Sequence, residues 1–549
     1  MHAWLQRLDQ HFPVRFALWL ASAVGLLLFG FTWVAFDTWG GAALVCLFLV
    51  LLGLRDVRQR RHALIRNYPV IGHVRYLLEF IRPEIRQYFI ESDREAAPFS
   101  RQQRSLVYQR AKGDSDKRPF GTQLEVQALG YEWINHSIAP TQLAGYDFRV
   151  DVGDAANGCT APYEASVFNI SAMSFGALSA NAVLALNGGA KKGGFAHDTG
   201  EGSISVHHRV HGGDLIWEIG SGYFGCRDDE GRFSEERFVA NARDAQVRMI
   251  ELKLSQGAKP GHGGVLPGPK VSAEIAAARG VPQGVDCVSP ARHGAFDTPL
   301  QMLQFIDRLR RLSGGKPTGF KLCIGHPWEW FAICKAMLHT GILPDFIVVD
   351  GAEGGTGAAP LEFTDHVGAP LQEGLLLVRN TLVGLNLRER IRIGAAGKVI
   401  GAFDIARMMA LGADWCNAAR GFMFALGCLQ AQSCHTGNCP TGITTQDPRR
   451  QQALVVPDKI ERVWRFHRNT LLALQELVQA AGLQHPREIT PAHIVRRVAD
   501  NDVRLLATQL PLLQPGELLD AVEGRRDWPH AVYRLYWPMA DAHGFAPRR

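Results

Sequence analysis

From Val167 onward the chain repeats one unit: a short run rich in β-branched and aromatic residues, glycines just after it, then a helical stretch. Runs at 168–173, 249–254, 319–324, 346–350, 391–395 and 415–419 alternate with helical stretches such as 328–339 and 402–411. Strands joined through helices pair in parallel, because a parallel connection needs a long crossover. About 260 residues of such units predict an α/β fold, a (β/α)8 TIM barrel with a substantial βα insertion; a doubly wound sheet is the alternative. In a barrel the functional loops follow the C-terminal strand ends, and the glycines fall there, in 174–179, 198–202, 353–357 and at Gly397.

The N-terminus is a different material. Residues 16–36 carry no charge and are long enough to cross a hydrocarbon core of about 30 Å as a helix; residues 38–54, after Asp37, form an uncharged return leg. Arg7 and Arg15 precede the pair, and Arg55, Arg58, Arg60, Arg61 and Arg66 follow it. Basic residues at both ends predict a transmembrane helical hairpin in the cell inner membrane, multi-pass, with the catalytic domain on the cytoplasmic side. The expected organisation is a hairpin with its basic flank over 1–62, an entry segment wrapping the barrel over 63–165, the barrel with its cysteine loop over 166–485, and a C-terminal helical extension over 486–549. After Thr441 the chain reads as mainly helical, with Ile460, Val463, Leu471, Leu474 and Val478 on one packing face.

A formal charge of +6 is small for 549 residues and is dispersed, which argues against nucleic acid as a partner. Ten cysteines are too sparse for a disulfide scaffold, but Cys428, Cys434 and Cys439 crowd beside His435. Thiolates at this spacing suit either an iron-sulfur cluster or a Cys3His zinc site, and spacing leaves both open.

Five motifs in order, SAMSFGALS from Ser171, TGEG from Thr199, QGAKPG from Gln256, GGTGA from Gly354 and CHTGNCPTG from Cys434, resemble the FMN-binding synthase domain of glutamate synthase over roughly residues 165–485. The resemblance implies an oxidoreductase with FMN and a 3Fe-4S cluster that reduces 2-iminoglutarate, formed from 2-oxoglutarate and ammonia, to L-glutamate. On that basis Cys428, Cys434 and Cys439 become the cluster ligands. Lys321 resembles the lysine at the N1 and O2 edge of the flavin, and Ser174, Gly354 and Gly355 stand in cofactor-binding motifs. Barrel geometry places the flavin phosphate near Gly397 and Gly421, with Arg420 able to pair with it. Lys253, Gln256 and Lys259 match 2-oxoglutarate-binding positions; Lys259 and Glu201 are the candidate catalytic residues, Glu201 holding ammonium or shuttling a proton.

Three positions depart from the family pattern. His262 and Val265 stand where a carboxylate and an amide are usual, and Tyr223 stands where arginine is usual. The chain begins Met-His-Ala rather than with the amidotransferase cysteine, ends before the family's β-helix domain, and shows no dinucleotide fingerprint. Electrons are therefore expected from an external donor such as ferredoxin or a membrane redox partner, and ammonia from solution or a separate glutaminase subunit. The alternatives are a membrane-associated flavin and iron-sulfur oxidoreductase for another oxo or imino acid, and a nonenzymatic electron-transfer or assembly protein.

Overall fold

The two uncharged runs fold as helices α1 (Ala17–Phe36) and α2 (Gly40–Arg58), turned over at Asp37 and Trp39, both in the left-handed region. They run antiparallel with small residues at the seam. A Cβ built on Gly53 would lie 2.2 Å from the Trp19 ring, one on Gly25 would lie 2.9 Å from Cys46 Sγ, and Trp19 Nε1 donates to Val50 O at 3.0 Å. Both helices are long and apolar enough to cross a membrane. The computed structural model describes residues 14–59, 62–92, 94 and 97–548, in two units, Met1–Arg101 and Gln102–Arg549. Of the basic flank, Arg7, Arg60 and Arg61 lie outside the described residues. Within the first unit a short helical turn, Ala63–Asn67, and then a longer helix, α3 (Gly72–Ile85), follow the hairpin.

In the second unit, strands β1 (Phe168–Ile170), β2 (His197–Asp198), β3 (Leu215–Ile219), β4 (Val247–Lys253), β5 (Thr318–Leu322), β6 (Phe346–Asp350), β7 (Arg392–Ala396) and β8 (Trp415–Ala418) pair in parallel in chain order. β8 pairs with β1, so the sheet closes as the (β/α)8 barrel expected from the repeat. β2 and β3 lie outside the six runs picked from the sequence, because β2 is two residues long and Glu218 interrupts the apolar run of β3. The insertion falls between β4 and β5 and carries an antiparallel pair, Val265–Leu266 with Cys287–Val288.

An antiparallel hairpin, Arg149–Val152 with Tyr163–Ser166, plugs the N-terminal end of the barrel. Its Val150, Val152 and Tyr163 pack with Ile216, Met249, Phe346 and Trp415, the first inward-facing residues of their strands. The opposite end, where the glycine loops emerge, stays free for polar side chains. Helix α4 (Ala180–Gly193) lies close against helix α5 (Val456–Ala480), whose Val463 touches the space beside Gly189. The C-terminal part is not helical throughout. Ile494–Ala499 pairs with Asp502–Leu505 and with Glu132–Ile134, making a three-stranded antiparallel sheet. The helical expectation for 486–549 missed these strands because one of their partners lies some 360 residues upstream, at Glu132 opposite Arg496.

Gly319 in β5 faces Phe346, and a Cβ there would come 2.1 Å from Phe346 O and 2.7 Å from its ring. Overpacking of this kind costs about 1–3 kcal/mol. Gly319→Ala is expected to lower the unfolding free energy of the barrel by that amount, measured by denaturant unfolding against the parent.

Candidate active site

Every second side chain of a barrel strand points inward, so the strands dictate what fills the interior. Above the apolar layer made by Ile216, Met249 and Phe346, the same alternation brings Glu218, Glu251, Lys321 and Asp350 inside, with Glu218 registered opposite Glu251. The Lys321 ammonium pairs with Glu218 and lies 3.2 Å from Glu251, and all three side chains are buried. Beyond that contact neither Glu251 oxygen has a hydrogen-bond partner. Oxygens of Asp198, Glu218 and Glu251 come within 4.8 Å of one another. Burial opposes the charge on Lys321, yet Glu218, Glu251, Asp198 and Asp350 hold it well above the usual lysine range. Burial, opposed by Lys321 and reinforced by Glu218, pushes Glu251 up to about 7. Burial and Glu251 likewise raise Asp198, and burial raises Asp350. Several carboxylates around one ammonium make a cage that retains protons near neutrality.

Toward the C-terminal mouth this interior meets the loop charges. Lys253, the last residue of β4, lies 3.0 Å from Glu201 Oε2 and donates to Gln256 Oε1 at 2.9 Å. Gly257 N donates to Asp350 Oδ2 at 2.8 Å, tying this loop to the end of β6; a Cβ on Gly257 would meet Gly351 O at 1.8 Å. Burial works to raise Glu201, but Lys253, Arg279 and Lys259 hold it below the usual glutamate range. Burial lowers Lys259, with Glu201 opposing and Lys253 assisting. Glu201, Lys253, Gln256 and Lys259 are thus gathered into one patch. Ser174 borders it, since a Cβ on Gly200 would lie 2.7 Å from Ser174 N.

Tyr223 and His293 support the patch from behind. His293 Nε2 lies 2.8 Å from Lys253 O and its Nδ1 lies 3.0 Å from Tyr223 Oη. Burial lowers His293 to about 4, so near neutrality the ring carries one N–H. A carbonyl only accepts, which puts that hydrogen on Nε2; Tyr223 must then donate to Nδ1 while it accepts from Ala295 N at 3.1 Å. His262 and Val265 are both exposed, His262 against Phe363.

The cysteines form a second centre. Cys434 Sγ is 3.9 Å from Arg420 Nη1, and Cys428 responds to Arg420, Cys434 and Cys439 together, so the three sulfurs share a neighbourhood. Burial raises Cys428. Cys439 is brought down to about 7 because hydrogen bonds from Thr441 and Thr444 outweigh its burial, which favours the metal-binding thiolate. His435 is exposed and gives its carbonyl to Lys270 Nζ at 2.7 Å. Arg420 also borders Gly355, whose Cβ would lie 3.6 Å from Arg420 Nη2. Gly354 N donates to Gly351 O at 2.9 Å; Gly397 abuts Leu371 and Glu353. The missing side chain of Gly421 faces Phe466 instead. Asn417, on the inner face of β8, leaves Oδ1 buried without a partner. A flavin at the mouth would meet this oxygen, Lys321 and the glycine loops, and a metal or cluster at the cysteines would find three thiol groups, at Cys428, Cys434 and Cys439.

The conserved region in glutamate synthase matches residues 159–484, more than half of the chain. The chain belongs to the glutamate synthase family. A glutamate synthase large subunit-like protein, YerD, of Bacillus subtilis (strain 168) is 38% identical over 489 residues, covering 82% of this chain and 93% of YerD. Archaeal-type glutamate synthase (NADPH) of Thermotoga neapolitana is 36% identical over 284 residues, 52% of this chain and 53% of that protein. Archaeal glutamate synthase (NADPH) of Methanocaldococcus jannaschii is 36% identical over 315 residues, 57% of this chain and 58% of that protein. The chain spans nearly all of YerD but little more than half of these two synthases. It is a glutamate synthase-like oxidoreductase.

Sequence reasoning missed His293, Arg279 and the cage carboxylates Asp198, Glu218, Glu251 and Asp350. A signal existed for two of them. Glu218 in LIWEI and Glu251 in MIELK are acids inside runs too apolar to be solvent-facing.

The cage has a consequence for stability. The folded state keeps the Glu251 proton up to about pH 7, whereas the unfolded chain releases it near the ordinary 4.5. The folded state therefore binds more protons across that window, and stability falls as pH rises through it, by up to about 1.4 kcal/mol per pH unit for one proton. Glu251→Gln is expected to flatten the slope of Tm against pH between pH 5 and 7, read by thermal unfolding.

Proposed function

We propose that this enzyme condenses 2-oxoglutarate with ammonia and reduces the resulting 2-iminoglutarate to L-glutamate, using FMN and a 3Fe-4S cluster. The observation carrying this reading is the convergence of Glu201, Lys253, Gln256 and Lys259 at the C-terminal mouth, next to the barrel's only interior lysine cage among the described residues. When bound, FMN supplies hydride for the imine carbon and the cluster supplies electrons from an external donor such as ferredoxin or a membrane redox partner.

The chain's own residues do the remaining work. Lys259 forms no ion pair among the described residues and offers a free ammonium for a substrate carboxylate. Glu201, held ionised, is placed to hold ammonium by a charge-assisted hydrogen bond beside the substrate position. Lys253 keeps Glu201 in place, and its main chain is fixed by His293. Lys321, Asn417, Ser174 and the Gly354, Gly355 and Gly397 loops are the proposed flavin contacts, with Arg420 between the phosphate region and Cys434. Cys428, Cys434 and Cys439 are the proposed cluster ligands; the exposed His435, engaged through its carbonyl, favours this over a Cys3His zinc site. α1 and α2 are proposed to span the inner membrane, with Arg55 and Arg58 on the cytoplasmic side. Ammonia arrives free or from a separate glutaminase subunit.

One observation favours a second reading, an oxo or imino acid with a single carboxylate. Lys253 is already paired with Glu201, and Tyr223 donates to a neutral His293 where an arginine is usual, which leaves Lys259 as the unpaired cation of the patch. Oxidation of the reduced protein by a panel of oxo acids with ammonium separates the two: glutamate formation supports the first, and turnover only with monocarboxylates supports the second.

Loss of a charged hydrogen bond costs about 1.5–3 kcal/mol, roughly a ten- to hundredfold weakening. Lys259→Ala is expected to raise KM for the oxo acid by that factor with flavin content unchanged. Cys434→Ser is expected to abolish the cluster's electron paramagnetic resonance signal after anaerobic purification. Stoichiometric zinc without iron in the parent protein would refute the cluster.

A further inference from the structure

The first unit contains a helix whose chemistry the hairpin alone does not explain. In α3, Val74, Leu77, Leu78, Ile81 and Ile85 recur at the spacing of one helical face. Glu79 lies on the opposite side and Arg75 and Arg82 flank the stripe, with Arg75 Nε 3.0 Å from Glu79 Oε1. The apolar face packs on little: Leu77 is 58% and Leu78 54% exposed, and Phe80 and Phe89 nearby are 78% and 85% exposed. Isolated exposed leucines are ordinary, but a continuous apolar stripe on a charged helix marks a surface built to be covered.

The start of α3 is pinned to the end of α2. Asp56, buried in the last turn of α2, accepts from Val70 N at 3.0 Å and from His73 Nε2 at 2.9 Å. Uncharged residues end at Leu54, and Arg55, Asp56 and Arg58 follow, so Asp56 stands where the apolar span gives way to charge. α3 therefore begins at the level of that boundary. Its 14 residues reach about 21 Å from there.

We propose that α3 lies along the lipid surface as an interfacial helix, its Val74, Leu77, Leu78 and Ile85 face sunk among the acyl chains and its flanking Arg75 and Arg82 toward the phosphate headgroups. The proposal rests on the membrane-spanning reading of α1 and α2. Continuity with the hairpin, fixed by the Asp56 contacts, selects lipid over a protein partner as occupant. Arginines flanking the apolar face and aromatic residues at its end, Tyr88 and Phe89, match the composition of interfacial helices.

The test uses the full chain reconstituted into vesicles of phosphatidylethanolamine and phosphatidylglycerol. A fluorescent non-canonical amino acid replaces Leu78, Glu79 or Leu28 in turn, and lipids carry a quencher either near the headgroup or at the acyl terminus. The expected result is several-fold stronger shallow quenching at position 78 than at 79, with deep quenching confined to 28. Equal, weak quenching at 78 and 79 with 28 still quenched overturns the interfacial helix while leaving the spanning hairpin standing, and assigns the apolar face to a protein partner or second copy. Absence of quenching at 28 overturns the hairpin reading and this proposal with it. The double variant Leu77→Glu, Leu78→Glu is expected to lose the shallow quenching of a probe at 85 while retaining flavin reoxidation in detergent; unchanged quenching contradicts the proposal.

Discussion

The buried ammonium of Lys321 among Glu218, Glu251, Asp198 and Asp350 is the constraint around which the rest of the barrel is arranged. Taking an ion out of water costs several kcal/mol unless partners are held in good geometry, and removing one partner strands the others. The excess of carboxylates over cations means the group is viable only if some acids keep their protons. The apolar layer beneath, closed by the Arg149–Val152 hairpin, keeps water from entering at the N-terminal end. Polar chemistry is thereby confined to the opposite mouth.

At that mouth the charges are organised as a relay of positions. Tyr223 sets the tautomer of His293, His293 holds the main chain of Lys253, and Lys253 pairs with Glu201. Tyr223 thus acts on the patch through neutral hydrogen bonds rather than through charge. Arg420, between Gly355 and Cys434, links the glycine loops to the cysteine centre. Lys270, reaching His435 O from the β4–β5 insertion, ties that insertion to the cysteine loop.

The N-terminal unit follows separate physics. Its two apolar helices meet through Gly25 and Gly53 against Cys46 and Trp19, the close backbone approach that helices use where water provides no drive to associate. Asp56 is the one buried carboxylate of that unit among the described residues, and its bonds to Val70 and His73 turn the end of α2 into a fixed starting point for α3.

The sequence by itself determined the barrel class, the positions of most strands, the five motifs and the pair of apolar helices. These are properties of local periodicity and composition, which the chain carries wherever it goes. The gathering of Glu201 with Lys253, Gln256 and Lys259 was legible only through resemblance, since nothing in their spacing demands it. Tertiary structure alone decided that Lys321 is caged rather than free, because its partners sit on β3 and β4 and meet it only when those strands pair side by side with β5. It also decided the pairing of Tyr223 with His293, 70 residues apart, and of Glu132 with Arg496, 364 residues apart. The amphipathic period of α3 is written in its residues; that its apolar face lacks a cover among the described residues of its own unit is not. Electrostatic and hydrogen-bond partners depend on distance in space, which falls off steeply, and sequence separation carries almost no information about it.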